Sequence, residues 1–118
     1  MSFIRAALRK ASIKWPPLQA VMSSNRRVYE GPKIKGRNIK WQHQCSACKG
    51  WFFGSEIERD HIVACGSLSD WEDMPGFARR LFCEASGVQK LCKRCHQMKH
   101  AREADVERRE ATSADGND

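Results

Sequence analysis

Two Cys-x-x-Cys pairs, Cys45–Cys48 and Cys92–Cys95, constrain this chain more than any other feature. A turn of this kind lets two sulfurs face one ion, and four thiolates complete the tetrahedral shell of a structural zinc. The pairs stand far apart in sequence, so one ion would tie the region around Cys45 to the region around Cys95. A chain of 118 residues is expected to form one small domain with a modest core, and such cores lean on a metal or on disulfides. Six cysteines suffice for a disulfide framework, but no apolar export segment is recognisable: Phe3-Ile4 is interrupted at once by Arg5. The cysteines are therefore read as ligands of Zn²⁺ in a reducing compartment, with a cytoplasmic location expected. A redox pair is the alternative use of such a turn. Cys65 and Cys83 lack a partner at chelating spacing and are read as core or inert surface thiols.

The charge is lopsided. Residues 1–59 hold twelve Lys/Arg and three acids, a net +9, whereas residues 60–118 hold nine bases and eleven acids, a net −2. A basic half of this kind fits a polyanionic partner, nucleic acid first, because neutralised phosphates release their counterions. A solvated basic surface that only aids solubility is the plainer reading. No apolar run is long enough to span a membrane, so no membrane partner is expected.

Periodicity predicts a helix over 3–13 with Ile4, Ala7, Leu8 and Ala11 on one face. Trp15-Pro16-Pro17 ends it, and a second short helix runs from Pro17 to about Ser23. Residues 24–40 read as a basic loop. Short strands are expected at Trp41–Gln44, Trp51–Phe53 and Ile57–His61, with Trp41, Trp51 and Phe53 read as core. A helix over 70–85 is expected to be interrupted at Pro75-Gly76. Gln89–Leu91 reads as extended, and a last helix starts near Lys93. The division is 1–40 as a basic N-terminal helical arm, 41–111 as the zinc-bearing domain, and 112–118 as a disordered tail.

A second constellation combines Asp60-His61 with Cys95-His96-x-x-Lys99-His100. His96 and His100, four apart, share a helix face and can bind one ion. Asp60 adds a carboxylate oxygen, giving an open O-N-N site suited to Mg²⁺, Mn²⁺ or a later ion such as Ni²⁺. His61 follows Asp60 on a strand, so alternation points it to the other face, free to act as a base. Two plainer readings stand beside this one. The His pair can face solvent, or one His can replace a cysteine on the zinc. His43 is assigned no role.

The ordered set Cys45-x-x-Cys48, Asp60-His61-Ile62 and Leu91-Cys92-x-x-Cys95-His96-x-x-Lys99 resembles the HNH (ββα-metal) endonuclease family over residues 41–100. Trp15-Pro16-Pro17 and Arg80-Leu81-Phe82 also look like small HNH proteins of tailed phages. The resemblance implies an α+β fold, a small zinc-stabilised ββα-metal domain behind a helical, basic N-terminal extension. It implies a hydrolase that cuts DNA and leaves 5′-phosphate and 3′-hydroxyl ends, with His61 as general base and Asp60 and His96 as catalytic metal ligands. His100 falls where one branch of the family carries a further ligand. Arg59, Lys93, Arg94 and Lys99 are expected to hold phosphates. A phage packaging partner, or another protein, fits this context. One departure stands out: the family's middle Asn falls at Gly87, and Gln89 or Ser86 would have to supply its polar contacts. A zinc-stabilised nucleic-acid-binding module that no longer cuts is the alternative. A third reading is an interaction module displaying residues 101–111 to a protein.

Overall fold

A computed structural model describes residues 1–115. It is a small mixed α+β module of four helices and two antiparallel sheets: α1 (Ser2–Ser12), α2 (Pro16–Met22), β1 (Arg26–Val28), β2 (Trp41–Gln44), β3 (Trp51–Phe53), β4 (Ile57–His61), α3 (Met74–Leu81), β5 (Val88–Cys92) and α4 (Lys93–Asp115). Helix α4 thus continues past Ala111, and of the tail expected at 112–118, residues 116–118 lie outside the described residues.

The N-terminal helices pack on the body. Ile4 and Leu8 of α1, with Met1, lie against a buried cluster of Cys65, Leu68, Phe77 and Leu81. The apolar stripe of α1 therefore has a partner, and burying a stripe of this kind is what holds a short helix. Trp15 takes extended dihedrals before Pro16, which opens α2 where a missing N–H costs nothing. The Trp15 indole donates from Nε1 to the Cys83 carbonyl at 2.7 Å and meets Phe82 edge-on at 5.5 Å. From α2, Leu18 is buried and Met22 packs against the second core cluster, Cys45, Ile57, Leu91 and Cys92.

Residues 24–40 are not all loop. Arg26–Val28 pairs with Trp41–His43 and forms the edge of the sheet β1–β2–β3. The pairing has a simple cause: β2 would otherwise leave backbone groups open on that side, and three residues suffice to cover them. In the β2–β3 pair, Gln42 faces Phe53, His43 faces Phe52 and Gln44 faces Trp51. The second sheet pairs β4 with β5 from Ile57↔Cys92 to His61↔Val88. β5 runs straight into α4, so β4, β5 and α4 make a ββα unit.

Between β4 and β5 the chain makes a 3-10 turn at Trp71–Asp73 and then α3. The helix expected over 70–85 is shorter, and Pro75 does not interrupt it. Pro75 sits in the first turn of α3, where no intrahelical N–H bond is lost. Phe77 and Leu81 are buried, while Trp71 stays outside. Among the described residues no helix is long and apolar enough to cross a membrane.

Candidate metal centres and the cavity beside them

The four predicted zinc ligands converge. Cys45 closes β2, Cys48 lies in the turn to β3, Cys92 ends β5 and Cys95 sits in the first turn of α4. One sulfur from each lies within 4.8 Å of the others. The turn is closed by Cys45 N–H to the Gly50 carbonyl at 2.9 Å and Lys49 N–H to the Cys45 carbonyl at 3.0 Å. Lys49 takes a left-handed φ of 65° to make it. Ser46 N–H donates to the Lys90 carbonyl at 2.8 Å, tying the turn to β5.

The thiols differ in acidity. Burial pushes Cys45 up, but the N–H groups of Cys92, Cys48 and Ala47 outweigh it and bring the thiol down to about 6. Cys95 is pushed up to about 12, first by its hydrogen bond with Cys92, then by burial and the other two sulfurs. Four thiolates this close repel one another, and a divalent cation is what lets all of them ionise. The donor set thus fits a structural Zn²⁺. Cys65 and Cys83 stand outside this cluster; Cys65 is buried, and burial raises its pKa.

The second cluster is Asp60, His96 and His100, whose ligand atoms also lie within 4.8 Å of one another. Asp60 is 3% exposed. Its Oδ2 accepts from Lys99 Nζ at 2.6 Å and from Gln89 Nε2 at 3.0 Å, while its Oδ1 lies 3.4 Å from His96 Nε2. One carboxylate oxygen is therefore pinned and the other turned to the histidines. The rings of His96 and His100 stand 4.2 Å apart. His96 Nδ1 bonds to Glu58, which leaves Nε2 for an ion.

A cavity of about 550 Å³ opens on this cluster, lined by Asp60, His96 and His100 together with His61, Arg59 and Arg9. The alternation along β4 separates Asp60 from His61, yet both reach the cavity because β4 ends at His61. The His61 ring is not loose. Its Nε2 lies 3.0 Å from the carbonyl of Leu81, the last residue of α3. A carbonyl only accepts, so Nε2 carries the proton and Nδ1 is the basic atom. Carbonyls at a helix end lack intrahelical partners, which makes Leu81 available for this bond.

That contact bears on Gly87. Gln89 bonds to Asp60 rather than to the loop behind His61, and the ring is oriented by a backbone group instead of an amide side chain. A Cβ at Gly87 would stand 2.9 Å from Cys83 Sγ, so the position has no room for Asn as packed. The Gly87 carbonyl accepts from Ile62 N–H at 2.9 Å and ties the strand end together.

The expected phosphate holders separate. Arg59 lines the cavity. Arg94 opens instead on a groove beside the cysteine cluster, with Phe52, Leu91 and Met98, and Lys93 is exposed at the start of α4. Lys99 lines the cavity too, but its ammonium is engaged: besides Asp60, it donates to the carbonyls of His61 at 2.7 Å and Ile62 at 3.2 Å and lies 3.4 Å from Glu103.

Three site groups escaped the sequence reading. Glu58 carried a faint signal, since residues 58 and 60 share a face of β4. Arg9 carried none, because only the docking of α1 brings it to the cavity. A main-chain carbonyl such as that of Leu81 carries no signal at all.

No family model, curated protein or solved structure matches the chain.

Proposed function

We propose that the cavity hydrolyses phosphodiester bonds of DNA, with His61 as general base, in the manner of the HNH (ββα-metal) nucleases. The observation that carries this is the shared cavity: a histidine with a free Nδ1, held through Nε2 by Leu81, stands beside an open Asp–His–His donor set. A divalent ion held by Asp60, His96 and His100 would supply positive charge to a phosphate oxygen and to the departing 3′ oxygen.

The residues divide the remaining work. Nδ1 of His61 takes a proton from water. The Leu81 carbonyl fixes the tautomer and the ring plane. Glu58 does the same for His96, and Gln89 with Lys99 holds Asp60 so that Oδ1 is presented. Arg59 and Arg9 line the same cavity and would hold a phosphate's non-bridging oxygens, a contact that positions without reading sequence.

The bond from Lys99 to Asp60 favours a second reading, in which an ammonium has replaced the catalytic cation and the module only binds nucleic acid. One experiment separates the two. Zinc-loaded protein is incubated with supercoiled plasmid and Mg²⁺, Mn²⁺, Ni²⁺ or no added ion, beside His61→Ala. Relaxed or linear product that requires the ion, and falls by about 10²–10⁴-fold in the variant, is expected. Intact plasmid in every lane from folded, zinc-bound protein would sink the nuclease reading.

A further inference from the structure

Arg27 and Arg37 rest on aromatic rings and on no carboxylate. The Arg27 guanidinium lies 4.5 Å from the centre of the Trp51 ring, and that of Arg37 5.5 Å from Phe53. Each is also held by one polar group: Arg27 Nε donates to Gln42 at 3.0 Å, and Arg37 Nη2 to Ser55 Oγ at 2.8 Å. On the opposite face of the same sheet, abreast of His43 and Phe52, Arg26 lies over Trp41 at 4.1 Å. Among the described residues no Asp or Glu pairs with any of the three.

The strand register explains the placement. Arg27, Gln42 and Phe53 lie abreast, and Gln44 lies abreast of Trp51, so these residues share one face of the sheet. Phe52 lies on the other face and packs against the core. The face bearing Trp51 and Phe53 is thus the one turned away from the core, against the sequence expectation for both. The chain around it, residues 24–56, holds seven Lys/Arg and two acids, Glu30 and Glu56, and the Glu56 carboxylate accepts from the Phe53 N–H at 3.3 Å.

A guanidinium held over a ring still has N–H groups to offer an acceptor; the side-chain bonds here use only Nε of Arg27 and Nη2 of Arg37. The ring contact and the hydrogen bond also hold the side chain beforehand, so less freedom is lost on binding. Paired, planar donors match phosphate oxygens, and several of them along one strand ribbon match a run of phosphates. We infer that this outward sheet face binds the sugar-phosphate backbone of DNA at a second place, apart from the phosphate in the cavity. The inference takes the identity of the polyanion from the reading of the cavity. The cysteine cluster links the two places, since Cys45 and Cys48 flank the turn of this sheet while Cys92 and Cys95 belong to the ββα unit.

The test measures binding of a short labelled DNA duplex to the zinc-loaded protein across a salt series, without added catalytic ion. Wild type is compared with the double variant Arg27→Gln, Arg37→Gln. Losing two phosphate contacts should weaken binding and lower the slope of log affinity against log salt by about two. Arg27→Lys with Arg37→Lys, which keeps charge but not the planar stack, should restore most of the slope and only part of the affinity. An unchanged slope and affinity in the Gln variant, with melting temperature and zinc content intact, would overturn the proposal. So would polyglutamate competing as well as DNA, which would assign the face to an acidic protein. If the slope falls as expected while plasmid is never cut, this surface stands and the nuclease reading falls.

Discussion

Lys99→Met is the perturbation that asks most of the site. In the wild type the Lys99 ammonium satisfies the buried Asp60 carboxylate at 2.6 Å and two main-chain carbonyls beside it. Methionine keeps the stem and its packing but removes all three donors. Asp60, 3% exposed, is then left with Gln89 on Oδ2 and the more distant His96 on Oδ1. Breaking a buried ion pair from one side costs about 3–5 kcal/mol. The Lys99 side chain keeps 15% exposure at the cavity wall, so water reaches part of the gap and the lower end applies, about 3 kcal/mol. For a domain of this size that lowers the melting temperature by roughly 10 °C. The effect of a divalent ion should run the other way. Taking a positive charge away from a divalent cation about 4 Å off relieves a repulsion of order 8 kcal/mol at an effective dielectric constant of about 20. Even about a sixth of that tightens ion binding about tenfold. Thermal unfolding of zinc-loaded protein, with and without saturating Mn²⁺, checks both parts. The variant should start lower and gain more from Mn²⁺ than wild type, by roughly 5 °C. An equal or smaller gain would refute the placement of the ion on Asp60, His96 and His100.

Other outcomes follow from the same contacts. Cys45→Ser removes a fully buried thiolate and should abolish both zinc binding and folding, seen as lost metal by elemental analysis and lost helix by circular dichroism. Structural zinc in small fingers supplies about 10–16 kcal/mol, more than many domains hold in reserve, and Cys65→Ser should keep its metal. Gly87→Asn, which would place there the Asn of the HNH pattern that the chain resembles, should destabilise by about 1–3 kcal/mol, because its Cβ meets Cys83 Sγ; an Asn variant as stable as wild type and more active would undo the account of Leu81. Burial, then the charges of Lys90 and Arg26, holds His43 below the usual histidine range. Its Nδ1 meets the Lys90 ammonium at 3.1 Å. The unfolded ring therefore takes up a proton first as pH falls. The stability tied to the neutral ring is fully present above pH ~6.5 and fades as pH drops through and below that value. His43→Gln should shrink this loss, so denaturant curves of the two zinc-loaded proteins should converge on acidification; parallel curves would contradict the assignment.

Some of the site could be read without a fold. The Cys-x-x-Cys pairs and the His96–His100 spacing are local geometry, set by a tight turn and by one helical turn, and sequence distance suffices to see them. Asp60 beside them was legible through its position at the end of an alternating strand. Trp51-Phe52-Phe53 was not legible in the same way. Three adjacent apolar rings show no alternation, and only the pairing with β2 decides that Phe52 turns inward. Lys99 had the look of a phosphate ligand because it is basic and near the site, whereas a buried carboxylate within reach claims its ammonium.

The sequence by itself determined which chemistry the chain can host: four soft sulfur donors in two chelating turns, one carboxylate, histidines at helical spacing, and an excess of base toward the N-terminus. Tertiary structure alone decided which groups serve it. The docking of Ile4 and Leu8 on Phe77 brings Arg9 to the cavity, the end of α3 lends a carbonyl to His61, and β4 lays Glu58 against His96. These choices depend on how apolar faces are buried and on which backbone groups are left without partners, and both are properties of the packed chain rather than of neighbouring residues.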